Sequence, residues 1–238
     1  QVSDFILGLL QPLPPGVELK PTGSNLTVLI SKSNFSHCSA FSNASSVRPG
    51  GANGGGGATY AKSVAMTNFS VTMSTFINNT VKVASGTTGL SSFSSGGALA
   101  VEALEAALSV VISRSSFENC SAGGANISNL AVRGGAVHVY NASSISVVDT
   151  NFTNCSVIDT ASGDVVSGGA AVSAALARDV SIYDCVFDAS GGRDGSGTSA
   201  GLLVLARNSS FSRVDVSRST FNASEVVLRV QCVSEDGV

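Results

Sequence analysis

Val110-Val111-Ile112-Ser113-Arg114-Ser115-Ser116-Phe117-Glu118-Asn119-Cys120 is answered 35 residues later by Ile145-Ser146-Val147-Val148-Asp149-Thr150-Asn151-Phe152-Thr153-Asn154-Cys155. Aligned on their phenylalanines, these two stretches belong to a set of six anchored at Phe35, Phe76, Phe117, Phe152, Phe187 and Phe221. The anchors are 41, 41, 35, 35 and 34 residues apart. Seven positions before them stand Val28, Phe69, Val110, Ile145, Val180 and Val214, and five before stand Ile30, Val71, Ile112, Val147, Ile182 and Val216. Aliphatic columns two residues apart, with Thr27, Asn68, Ser109, Ser144, Asp179 and Arg213 just outside, are strands with one face inward and one face in water. A repeat of this length marks units that bury their apolar faces against their neighbours.

Three positions before each Phe the alternation breaks, at Lys32, Met73, Arg114, Asp149, Asp184 and Arg218, where an inward side chain would otherwise fall. The next column is small: Ser33, Ser74, Ser115, Thr150, Cys185 and Ser219. A bend at this point puts the small column and the Phe inside and the charged column in water. Glycines mark another turn, at Gly56-Gly57-Ala58, Gly96-Gly97-Ala98, Gly134-Gly135-Ala136 and Gly168-Gly169-Ala170, with Ala200-Gly201-Leu202 as a degenerate copy. Such pairs fit where the backbone turns sharply or leaves no room for a Cβ. Strand, corner, strand, repeated in register, predicts an all-β fold, a right-handed parallel β-helix of about six coils with rungs about 4.8 Å apart.

The expected organisation is a cap or partial first coil over 1–23, repeats over 24–232, and a tail over 233–238 that continues into a longer chain or meets a neighbour. Asp4 to Leu10 is expected to cover the first rung, and Val226 to Cys232 to form a further strand. Leu99 to Val111 is expected to be strand, although its composition also suits a short helical insertion. The chain opens Gln-Val-Ser-Asp-Phe, so any signal peptide is expected to have been removed or to lie upstream.

Only 12% of residues are charged, the net charge is −3, and there is no basic cluster, which argues against nucleic acid. No apolar run approaches the roughly 20 residues of a membrane span. Asn-X-Ser/Thr occurs at Asn25, Asn34, Asn43, Asn68, Asn78, Asn119, Asn126, Asn141, Asn151, Asn154, Asn208 and Asn222, 12 of the 15 asparagines. That density points to a secreted, N-glycosylated eukaryotic protein of the cell surface or extracellular space. Asn78, Asn119 and Asn154 stack on adjacent rungs and are open to a second role, a buried amide ladder, which would exclude a glycan.

Five cysteines leave at least one unpaired within the chain. Cys120 and Cys155 follow successive anchors by three residues and are disulfide candidates on adjacent rungs; Cys185 and Cys232 are inward candidates that pair or stay buried. No Cys-x-x-Cys occurs, so neither a metal nor another cofactor is expected. His37 and His138 fall at different places in the repeat and are expected at the surface or in turns. The one arrangement with the makings of an active site is the charged column, with Asp149 and Asp184 stacked between Arg114 and Arg218. Stacked acids of this kind can hold Ca²⁺ or perform acid/base chemistry on a polysaccharide, whereas the plain alternative is a solvated ladder of weak surface pairs.

Gly-Gly-Ala-aliphatic together with Phe-x-x-Asn, as in Phe76-Ile77-Asn78-Asn79, resembles the repeats of the polymorphic outer-membrane proteins of chlamydiae and related eukaryotic repeat proteins. Phe117-Glu118-Asn119-Cys120 and Phe152-Thr153-Asn154-Cys155 replace the last Asn by Cys, and the copies at Phe187 and Phe221 depart further. The resemblance covers about residues 24 to 224 and implies a β-helical surface or adhesin-like module, here in a eukaryotic secreted setting. The expected function is therefore an extracellular structural or adhesive glycoprotein module, not an enzyme. Its partners are expected to be copies of itself, other cell-surface or extracellular proteins, or glycans, and it could serve as a subunit of a fibre. The alternative is a polysaccharide-binding or polysaccharide-cleaving protein using Arg114, Asp149, Asp184 and Arg218.

Overall fold

A computed structural model describes residues 17–22, 25–43, 53–63, 66–84, 92–103, 108–124, 130–158, 169–188, 191–192, 201–207, 213–222 and 228–233. These residues form strands and turns, with no helix among them. The aliphatic columns make a seven-stranded long sheet of Val17–Thr22, Asn25–Ser31, Met66–Thr72, Leu108–Ser113, Ala142–Val148, Asp179–Tyr183 and Arg213–Ser217. The six anchors lie in a phenylalanine sheet of three-residue strands, from Asn34–Ser36 to Thr220–Asn222. A third sheet runs from Ser39–Asn43 to Gly191–Gly192, and a fourth joins Asn53–Gly55, Ser92–Ser95 and Leu130–Arg133. A fifth stacks Thr59–Ser63, Leu99–Ala103, Val137–Tyr140, Val172–Ala175, Leu202–Arg207 and Leu228–Val233. Every pairing is parallel except that of Val17–Thr22, which lies antiparallel on Asn25–Ser31.

The repeat columns are the observed register. Val110 pairs with Phe69 and Ile145, and Phe117 with Phe76 and Phe152. Inward side chains are excluded from water while their neighbours on the same strand reach it, as on Leu108–Ser113. The anchor rings stack in one column with centroids 4.9, 4.7, 5.0, 5.0 and 4.5 Å apart and planes within 10° of parallel. Burial of each ring contributes about 1.5–3 kcal/mol, and stacking adds about 0.5–1.5 kcal/mol per pair.

Two corners flank the phenylalanine sheet, and each is a left-handed residue followed by a small inward one. At the first corner Lys32, Met73, Arg114, Asp149, Asp184 and Arg218 all have φ between 48° and 53°. This is the expected bend, made without glycine at about 1–2 kcal/mol per residue of backbone strain. The buried hydroxyls inside it offset that cost. Ser74 Oγ donates to Thr72 O at 2.9 Å and accepts from Ser33 N at 3.2 Å; Ser115 Oγ serves Ser113 O and Ser74 N in the same way.

At the second corner the left-handed residues are His37, Asn78, Asn119 and Asn154. Asparagine tolerates this conformation better than most residues. The structure therefore corrects the buried-ladder expectation for Asn78, Asn119 and Asn154, whose side chains reach solvent. The inward ladder is one residue further on, at Cys38, Asn79, Cys120 and Cys155. Asn79 Oδ1 accepts from Cys38 N at 2.9 Å, and Asn79 Nδ2 donates to Phe35 O at 3.1 Å. Cys120 Sγ takes the equivalent place beneath Phe76 O at 3.5 Å. Asn79→Ala strands both backbone groups and is expected to cost about 2–3 kcal/mol. Asn79→Cys, which copies the next two rungs, should cost measurably less in the same thermal-unfolding comparison.

Glycine makes the turn into the fifth sheet. Gly96 has φ 64°, and a Cβ there would meet Leu99 O at 2.1 Å. The register corrects two copies of this motif. Val137 pairs with Val172 and Val172 with Leu202, so Gly169-Ala170-Ala171, not 168–170, matches Gly134-Gly135-Ala136. The copy at 200–202 is out by one residue for the same reason, with Gly201 opposite Ala171. Leu99–Ala103 and Leu108–Ser113 are strands on either side of 104–107, which lie outside the described residues. Asp4 to Leu10 also lies outside them.

Candidate functional site

The left-handed corner pushes the charged column out of the wall, one residue per rung. Arg218 and Asp184 form a bidentate pair, Nε to Oδ1 at 2.8 Å and an η-nitrogen to Oδ2 at 2.6 Å. The Arg218 guanidinium also lies 3.9 Å above the Tyr183 ring centroid. Donating to the Asp184 carboxylate raises the Arg218 pKa, yet the pair stands in solvent, where such contacts add little to stability. Arg114 and Asp149 make no such pair with each other. Both line an open recess of about 400 Å³, together with Met73, Thr75, Ser116 and Asn151. The column thus divides into a satisfied half, Asp184 with Arg218, and a half whose charges face a shallow hollow.

The hollow holds hydrogen-bond donors and acceptors but no aromatic platform among its lining residues. Among the described residues no cluster of three or more His, Cys, Asp or Glu has metal-binding geometry. Sequon asparagines crowd its rim. Asn151 is part of the lining, and Asn154 and Asn119 stand at the opposite corner of the same strands, with Asn154 Nδ2 donating to Asn119 Oδ1 at 2.6 Å. One rung series away, Asn78 Nδ2 lies 3.1 Å from His37 Nε2. Asn34, Asn68, Asn78, Asn119, Asn141, Asn151, Asn154 and Asn222 all have side chains that reach solvent. Asn25 and Asn43 lie in strands, with their side chains outside the description, and Asn126 and Asn208 lie outside the described residues.

Cys120, Cys155 and Cys185 carry buried thiols and Cys38 a half-buried one. Cys185 belongs to the first corner, where its Sγ lies 3.3 Å from Tyr183 O and 3.5 Å from Val147 O. Cys232 lies in the fifth sheet, opposite Ala206, and its side chain is outside the description. The two expected inward candidates therefore stand apart, one at the first corner and one in the fifth sheet.

The fifth sheet holds polar groups that the repeat columns did not reveal. His138, expected at the surface or in a turn, is buried, because side chains on both faces of its own strand and of the adjacent Val172–Ala175 are excluded from water. Burial first, and the Arg133 guanidinium second, push its pKa down to about 3. Neither His138 Nδ1 nor Ser173 Oγ on the adjacent strand has a hydrogen-bond partner. At the rim of the sheet Tyr60 donates to Glu102 Oε2 at 3.2 Å, and burial, then this carboxylate, raises the phenol to about 12. The signal was present in the uninterrupted runs Ala136-Val137-His138-Val139 and Ala170 to Leu176, since a strand buried on both faces loses its alternation. Comparisons with protein-family models, with characterised proteins and with solved structures give no match, so the likeness to Gly-Gly-Ala and Phe-x-x-Asn repeats rests on the residues themselves.

Proposed function

We propose that the five sheets wrap around one axis as a right-handed parallel β-helix of about six coils, and that this solenoid is an extracellular, N-glycosylated structural or adhesive module. The observation that carries the proposal is the placement of the sequons: each asparagine of the set with a described side chain reaches solvent, mostly on the strands of the phenylalanine sheet or at its second corner. A rigid stack with few surface charges and many Ser, Thr and Asn side chains suits a scaffold that presents loops and sugars. Partners would be further copies, other surface proteins or glycans.

A second reading, polysaccharide binding or cleavage, is favoured by the Arg114–Asp149 recess and would also draw on Asp184 and Arg218. The two separate in a single comparison of wild type with the double variant Asp149→Asn, Asp184→Asn. Under the scaffold proposal wild type shortens none of a panel of neutral and uronate-containing polysaccharides, and the variant matches it in secretion and in association by light scattering. Depolymerisation by wild type that the double variant lacks would overturn the scaffold proposal in favour of an enzyme.

A further inference from the structure

We propose that Cys120 and Cys155 are an oxidisable dithiol that closes into a disulfide between neighbouring rungs when the chain meets a low-molecular-weight disulfide such as glutathione disulfide. Register places them opposite each other: Phe117 pairs with Phe152, Ser121 with Ser156, and Ser156 N donates to Cys120 O at 2.9 Å. Parallel neighbours about 4.8 Å apart fall within the roughly 4.4–6.8 Å Cα separation that a disulfide accepts. Both thiols point inward from the same corner and are fully buried. Each sits beneath a carbonyl of the rung before, Cys120 Sγ at 3.5 Å from Phe76 O and Cys155 Sγ at 3.5 Å from Phe117 O. The Cys120 pKa is lowered, first of all by its hydrogen bond with the Cys155 thiol, a sign that the fold brings the two sulfur atoms together.

The rest of the described framework isolates this pair. Cys38 shares the column but Asn79 occupies the rung between, leaving about 9.6 Å, beyond the reach of a disulfide. Cys185 is opposite Thr150 at the other end of the phenylalanine strand, about 15 Å along the chain direction from the Cys155 column. In the exchange one thiolate attacks glutathione disulfide, forming a mixed disulfide and releasing one glutathione thiolate. The second cysteine, deprotonated, then attacks the protein sulfur of that mixed disulfide and releases the second glutathione. Two protein thiols and one small disulfide become one protein disulfide and two small thiols, so protons and electrons balance. Because the thiols are buried in the folded chain, the exchange takes place while the rungs assemble.

The test is refolding from urea in a glutathione redox buffer, followed by acid quench, removal of any N-glycans, alkylation in denaturant, trypsin digestion and mass spectrometry. The expected product links the peptide spanning 115–133 to that spanning 134–178, with alkylation lost at Cys120 and Cys155 and kept at Cys38 and Cys185. Full alkylation of both cysteines in refolded protein overturns the proposal, as does a bridge from either to another cysteine. Cys155→Asn, which copies Asn79 in the same column, keeps the test open if a smaller residue prevents folding. In that variant the linked peptide should vanish and Cys120 become fully alkylated, and a new bridge from Cys120 would show that the pairing is not set by register.

Discussion

Phe117→Ala is expected to lower the unfolding free energy by about 3–5 kcal/mol, read as a fall in urea midpoint at unchanged slope. The ring is completely buried and stacks on both sides, 4.7 Å from Phe76 and 5.0 Å from Phe152. Truncation removes its transfer energy, leaves a cavity in the middle of the column and cuts the stack in two. Phe221→Ala should cost clearly less, because that ring is partly exposed and, among the described residues, stacks on Phe187 alone. The comparison separates a stacked array from an ordinary core, since nearest-neighbour coupling makes a central rung dearer than a terminal one. Equal losses at the two positions would argue against coupling through the column.

The second large effect is a loss of stability in acid through His138. Its folded pKa is about 3, against about 6.5 for an unperturbed imidazole, with burial the main cause and the Arg133 guanidinium the next. The folded chain therefore holds it neutral while the unfolded chain takes up a proton below pH 6.5. Stability from this group is complete above pH 6.5 and falls as pH drops from there towards 3, by up to about 1.4 kcal/mol per pH unit. The Arg133 guanidinium beside it stays protonated throughout that range. Urea midpoints of wild type and His138→Gln between pH 7 and pH 5.5, where ordinary carboxylates remain almost fully ionised, isolate the contribution. Wild type should weaken across this interval while His138→Gln stays nearly level; parallel curves would mean that the histidine is hydrated or paired.

What could be read in advance follows from how local each signal is. The phenylalanine and aliphatic columns are periodic, and one face of the long sheet touches water, so alternation revealed both the strands and their partners. The corner at Arg114 and Asp149 was legible because a charge stands where the alternation calls for an inward side chain. At the second corner the sequence leaves two roles open for Asn78, Asn119 and Asn154, buried ladder or glycan site, because both give a repeating asparagine; their repetition reflects a left-handed backbone that asparagine tolerates, and the inward column, Cys38, Asn79, Cys120 and Cys155, is one residue further on. The glycine motif slipped by one in the fourth copy because Gly168 and Gly169 satisfy the pattern equally; strand pairing at Val172 decides between them. His138 stands in no repeat column, so its burial in the fifth sheet was legible only from the loss of alternation around it, whereas the burial of Arg133, at the end of a strand of the fourth sheet, arises from tertiary packing. The charged face was found residue by residue, but its division into a paired and an unpaired half depends on side-chain reach, which spacing does not encode.

The claim that this surface serves as a sugar-bearing scaffold is tested most directly by site-resolved mass spectrometry of the protein secreted from eukaryotic cells, before and after enzymatic removal of N-glycans. The account predicts glycan on at least one of Asn119, Asn151 and Asn154 in most molecules, together with occupancy at Asn34, so that sugars cover the rim of the Arg114–Asp149 recess. Bare asparagines at all four positions would contradict it and leave that recess open as a binding cleft.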